Sequence, residues 1–195
     1  MSCIPQIALG DISYDCARTT GGIKRLFLGY GSGDGAAIGG AREITGMSID
    51  TDATSATYGQ ITLTTAASTY PVFSEIQFNK KDGVSYFGDV LTTELNGIQN
   101  TIPTIMVEIP LMSPANMSAI SAMSLSDDIV ALVETVAGTW HMVGYDFGLR
   151  LGTADGNSGT GRSEKNRYQL TLTGEEGGLA YQFTSLEDFD EVAAL

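Results

Sequence analysis

Turn signals interrupt this chain at short intervals, and that spacing limits the fold more than any other feature of the sequence. Glycine pairs stand at 21–22 and 177–178, Asp82-Gly83 and Ala137-Gly138 follow apolar runs, and a glycine-rich stretch fills 31–40. The segments between them suit strands better than long helices. Many also alternate. In "RYQLTLT" (167–173), Tyr168, Leu170 and Leu172 fall on one side and Gln169, Thr171 and Thr173 on the other. A half-buried strand requires that pattern, because successive side chains point to opposite faces. Lysine, common on helix surfaces, occurs only at 24, 80, 81 and 165, whereas glycine occurs 24 times. The balance favours strands and turns. The expectation is a mainly β chain: an antiparallel β-sandwich or barrel with one short flanking helix and long loops.

Further strands are expected at "GGIKRLFLGY" (21–30), "REITGMSI" (42–49), "TYGQITLTT" (57–65) and "TIPTIMVEIP" (101–110). In the last, Ile105, Val107 and Ile109 share one face. "YPVFSEIQF", "NKKDG" and "VSYFGDVLTTEL" (70–95) read as a hairpin turning at Asp82-Gly83, since tight hairpin turns need positive φ. The one helix is expected from Ser113 as cap, with Pro114 at the first helical position, where a missing N–H costs nothing. Met117, Ile120 and Met123 then recur at three-residue spacing. "DIVALVETV" (128–136) fits either a helix or a strand period. Its β-branched content, followed by "AGTWHMVGY", favours a strand hairpin turning at Ala137-Gly138. Residues 152–166 read as a flexible arm feeding the strand at 167–173.

The 195 residues, 43% of them hydrophobic, suffice for one domain with a real core. The expected division is a single domain over 1–195, with a core of about 16–183, an N-terminal arm 1–15 and an acidic tail 184–195. The formal net charge is −13, and nothing after Arg167 is basic. Tight nucleic-acid binding needs Lys and Arg to displace counterions, so this chain repels DNA on average. Such repulsion suits a surface past which DNA slides, and it equally suits plain solubility. Cys3 and Cys16 have no metal-ligand spacing; free thiols are expected, with pairing left open. The N-terminus lacks the pattern of a secretory signal, and no stretch approaches the ~18 apolar residues of a membrane span.

Candidates for chemistry thin out on inspection. His141 is the sole histidine, stands beside Trp140, and has no nucleophile elbow with it, so it reads as a partly buried structural residue. Asp127-Asp128 reads as the close of the helix region and Glu175-Glu176 as a turn. Gly29, Gly31, Gly33 and Gly35 keep every-second spacing, which is not a dinucleotide or Walker pattern. A calcium loop starting at Asp155 would need Gly at its sixth position and Glu at its twelfth; these are Thr160 and Asn166. Arg162, Lys165 and Arg167 form a local basic spot, read either as solvated loop charges or as partners for acids on a neighbouring copy. No catalytic residue, cofactor-binding residue or metal ligand is assigned, no cofactor is expected, and the chain is not expected to be an enzyme.

The order of features carries a resemblance. It comprises an early Cys, "GGIKRLFLGY", "FNKKDG", a single helix, the "ALVETVAGTWHMVGYDFGLRL" hairpin, the loop and strand "SGTGRSEKNRYQLTLTGEE", and a closing "LAYQF". Over most of 16–183 this resembles the tail tube proteins of tailed bacteriophages and prophages. The loop 31–40 and the tail after 184 lie outside the pattern. The resemblance implies a structural virion protein, made in the host cytoplasm. It would self-assemble into stacked, six-copy rings whose lumen passes DNA. It would contact other copies and other tail proteins, and no membrane. Loops 31–40, 50–57 and 152–166 would bridge rings. The alternatives are a head–tail connector ring, a capsid decoration protein, or a carbohydrate-binding β-sandwich using Tyr58, Tyr70, Tyr86, Trp140 and Tyr145.

Overall fold

The computed structural model describes residues 21–32, 40, 47–50, 52, 54, 60–63, 73–80, 85–93, 99–159, 161 and 164–183. Both cysteines, Tyr58, Tyr70, Asp82-Gly83, Arg162, the arm 1–15, the tail 184–195 and most of the loops 31–40 and 50–57 lie outside them. Within the described residues the chain is mainly antiparallel sheet with a single short helix, as the sequence implies. The strands are β1 (Ile23–Tyr30), β2 (Met47–Ile49), β3 (Gln60–Leu63), β4 (Ser74–Glu75), β5 (Tyr86–Thr93), β6 (Gln99–Pro110), β7 (Ile129–Thr135), β8 (Trp140–Val143), β9 (Leu149–Asn157), β10 (Arg167–Gly174) and β11 (Tyr181–Phe183). Helix α1 (Pro114–Met123) lies between β6 and β7. No helix among the described residues is long and apolar enough to cross a membrane.

The sheet is open. Its order is β2-β3-β11-β8-β7-β9-β10-β6-β5, with β1 on β7 and β4 on β1. All its pairings are antiparallel except β3 with β11. One bridge, Ile129 to Leu149, joins its two arms. The β1/β7/β8 arm contributes Ile23, Leu26, Ala131, Val133 and Val143 to the core, the β9/β10/β6 arm contributes Leu149, Leu170, Leu172, Ile105 and Val107, and Ile120 of α1 joins them. The arms therefore face each other across one apolar layer. Each fully buried aliphatic side chain there contributes roughly 2 kcal/mol.

Strand β7 explains the ambiguity of "DIVALVETV". Ile129 to Glu134 are all buried, so both faces of the strand are covered and its apolar residues run without alternation. Phe27, Leu132 and Met142 lie side by side in register on the second face. Trp140 is also buried, its ring centroid 6.1 Å from that of Phe27, and the Arg25 guanidinium lies over both rings. The hairpin turns at Gly138 (φ +91°), as expected.

The turn from β8 into β9 requires glycine twice. Gly144 has φ +82° and Gly148 φ +85°, and the Gly148 N–H donates to the Gly144 carbonyl at 3.1 Å. A Cβ on Gly144 would sit 2.6 Å from the Ile129 carbonyl oxygen, against backbone that cannot yield. The helix begins as its sequence predicts: Ser113 caps it, accepting from the Asn116 N–H at 3.1 Å, and Pro114 follows. Of the three spaced apolar residues only Ile120 is buried, and Met117 stays exposed.

Two expectations need correction. The arms of the "NKKDG" hairpin do not pair with each other: β4 pairs with β1, and β5 with β6. Residues 76–80 instead leave β1 for the end of β6, where the Asn79 N–H donates to the Glu108 carbonyl at 2.8 Å. The "flexible arm" from Gly152 is also wrong in its first part. Gly152–Asn157 belongs to β9, and Thr153 to Asn157 pair in register with Thr171 to Arg167 of β10. A glycine-rich composition lowers strand propensity, but the backbone N–H and C=O groups still find partners along β10.

Candidate functional site

The long side of the sheet ends in β5, which pairs only with β6 among the described residues. Beyond Thr104, β6 loses its own partner β10, so the stretch Asp89–Thr93 against Gln99–Pro103 is a two-stranded ribbon. Pro103 stands at that point, where a missing donor breaks no ladder on the β10 side. On the outer face, Tyr86, Gly88 and Val90 line up along β5, with Ile102 directly opposite Val90. Tyr86, Val90 and Ile102 are all exposed. The only charged residue of β5 is Asp89, on the opposite, core-side face, where its carboxylate accepts the Ala180 N–H at 3.0 Å. Natural edge strands are commonly protected by lysine, proline or outward charge, and β5 has none.

The turn from β10 to β11 braces that ribbon from the core side. Thr101 and Glu176 exchange both backbone hydrogen bonds, at 2.9 and 2.8 Å. Glu176 is 5% exposed. Its Oε2 accepts the Asp146 N–H at 3.1 Å, and its Oε1 has no protein partner. The Asp146 carboxylate in turn accepts the Tyr181 hydroxyl at 3.3 Å, and the Tyr181 ring meets Tyr145 edge-on. Burial pushes the Glu176 carboxyl from 4.5 up to about 7; the nearby Asp146 charge adds to this, and the Asp146 and Phe147 N–H groups pull the other way. Burial, then Asp146, pushes the Tyr181 phenol up to about 12. A narrow crevice of about 10 Å³ runs beside this cluster, with Asp89, Pro103, Glu176 and Tyr181 in its walls.

At the other end of β10 a second acid is buried with the opposite result. Glu108 is 1% exposed. It is bound by Arg167, by Lys165 at 3.4 Å and by the Asn79 amide at 3.1 Å. Burial raises its carboxyl, but the bonds from Asn79, Arg167 and Lys165 outweigh that and hold it below the usual value. At Lys165 and Arg167 the basic spot read from the sequence meets an acid of its own chain, while both side chains keep contact with solvent. The third acid buried among the described residues, Glu134, is paired with Lys24.

The remaining sequence candidates stay apart. His141 lies in β8, its ring 5.2 Å from that of Phe87, and burial lowers its pKa against the pull of Asp89. Asp127 lines a shallow groove with Phe147, Arg150 and Glu175, away from His141. Trp140 is in the core, while Tyr86 and Tyr145 lie on different elements. Among the described residues no group of three or more acids, histidines and cysteines is arranged to hold a metal ion. The sequence reading placed Glu175-Glu176 in a turn but did not separate them. The signal was present: continuing the alternation of Leu170 and Leu172 by twos reaches Glu176, which points inward while Glu175 is exposed. No family model matches the chain, and no curated protein or solved structure matches it either.

Proposed function

We propose that this protein is a structural subunit that assembles with copies of itself, and that the assembly is the phage tail tube suggested by the resemblance of its motifs. The observation that carries the reading is the β5 edge: eight residues without lysine or proline, the charge turned inward, and an exposed apolar row beside it. On a chain of net charge −13, copies repel over most of their surface, and an uncharged edge is where they can meet. Backbone N–H and C=O groups along such an edge pair with a neighbouring strand, and the Tyr86, Val90 and Ile102 row adds apolar area. In the tube, rings of such subunits stack, and an acidic lumen lets DNA pass without adhering.

Negative-stain microscopy of the purified full chain tests this. Stacked rings or hollow filaments are expected, and Val90→Lys with Leu91→Lys should leave a folded monomer that no longer assembles. Closed rings or trimers without stacking would instead identify a connector or decoration protein. A chain that stays monomeric at high concentration, or assembles unchanged with both lysines in place, would overturn the role of β5.

A further inference from the structure

We propose that Glu176 is a protonation-operated latch: as the neutral acid it pins the turn 175–180 to the start of β6 and to the turn 144–148, and its ionisation releases that turn from the β5–β6 ribbon. The geometry is that of a joint between three segments. The backbone of Glu176 is bonded on both sides to Thr101, and its side chain accepts from the backbone of Asp146. The Ala180 N–H adds a fourth tie, to Asp89 of β5. Removing the turn would uncover the core-side face of the ribbon at Thr101, which is fully buried.

The neutral acid fits this joint and the carboxylate does not. Oε2 already has a donor, so the proton belongs on Oε1, which no protein group approaches as a donor. On ionisation the proton leaves to solvent and a full charge remains, 95% enclosed, with the backbone N–H groups of Asp146 and Phe147 and no cation to stabilise it among the described residues. Among the described residues the titratable groups beside it are all acids: Asp146 from the turn 144–148, Tyr181 from β11, and Asp89 of β5 across the crevice. β6 offers only the Thr101 hydroxyl, itself without a partner. No cation among the described residues pairs with Glu176, in contrast to Glu108 and Glu134. The charged form therefore gains by moving outward, and the turn must move with it. Burial, with the Asp146 charge beside it, pushes the carboxyl up to about 7, which places the change near neutral pH.

The latch itself is a property of one subunit; only its consequence, the presentation of the ribbon to a second copy, rests on the assembly reading. It is accordingly tested on the dispersed full chain. Amide hydrogen exchange at Thr101, Asp146 and Glu176, corrected for intrinsic rates, is expected to lose protection about tenfold or more between pH 5.5 and 8.5. In Glu176→Gln, a neutral isostere, the loss should be under about twofold. No loss in the wild type, or an equal loss in the variant, would overturn the latch. Carbon-13 titration of the wild-type Glu176 carboxyl needs no variant to fold: a midpoint above about 6 supports the latch and one at or below it overturns it. A chain that titrates so but never assembles keeps the latch and refutes the tube reading. An assembling chain with an ordinary Glu176 does the reverse.

Discussion

Glu108 and Glu176 lie near opposite ends of β10, both buried, both glutamates, and the protein treats them in opposite ways. Glu108 is surrounded by Arg167, Lys165 and Asn79 and is held ionised. Glu176 meets Asp146, Tyr181 and the N–H groups of Asp146 and Phe147, with no cation among the described residues, and is pushed toward the neutral acid. Burial alone would raise both. The partners decide the sign, and they arrive from different segments: Arg167 at the start of β10, Lys165 just before it and Asn79 of residues 76–80 at one end, the turn 144–148 at the other. One end is thus an electrostatic clasp that tightens with ionisation. The other tightens with protonation.

The largest expected effect is at the clasp. Arg167→Met leaves Glu108 buried with Lys165 and Asn79 only, and should destabilise the fold by about 2–3 kcal/mol in denaturant titration at pH 7. The pH dependence has a definite sign. A carboxyl lowered in the folded state contributes stability above its unfolded value of 4.5 and loses it as pH falls below that value. Wild type should therefore lose part of its stability below 4.5, and Arg167→Met should lose less there.

Glu176 should show the reverse slope. Its folded value lies above its unfolded 4.5, so its contribution is present below 4.5 and is lost as pH rises to about 7, then stays lost. The denaturation midpoint of wild type should fall across that window, and that of Glu176→Gln should not. The difference should be about 1–2 kcal/mol, allowing for solvent screening at the open rim of the turn. If the two proteins run parallel from pH 4.5 to 7, the contrast between the two glutamates fails. Asp146→Asn is a smaller perturbation: it removes the neighbouring charge and keeps the N–H bond, so the Glu176 midpoint should drop by about one unit or less in the same carboxyl titration. Smallest is Lys165→Met, about 0.5 kcal/mol, because Lys165 is the long, partly exposed member of the Glu108 set.

Much of the fold is legible in local pattern. The alternation of Tyr168, Leu170 and Leu172, the Ser113-Pro114 start of α1 and the Gly138 turn all appear where the chain places them. These features depend on neighbours a few residues away, which a sequence displays directly. The hairpin at "NKKDG" misleads because turn chemistry says that the chain reverses, not which strand receives it. The stretch Gly152–Asn157 misleads because its order comes from β10 rather than from its own side chains. The β5 edge, which pairs only with β6 among the described residues, is likewise invisible until the strand order is known.

The sequence by itself determined the mainly β class, the acid excess, the single helix and its cap, and the inward phase of Leu170 and Leu172, because backbone preference and two-residue periodicity act over short range. Only the tertiary structure decided which acids are buried, and beside what. Glu108 is 59 residues from Arg167, and Glu176 is 30 from Asp146. A carboxyl's charge state is set by dielectric and partners within a few ångströms, and long-range strand pairing alone brings those partners there.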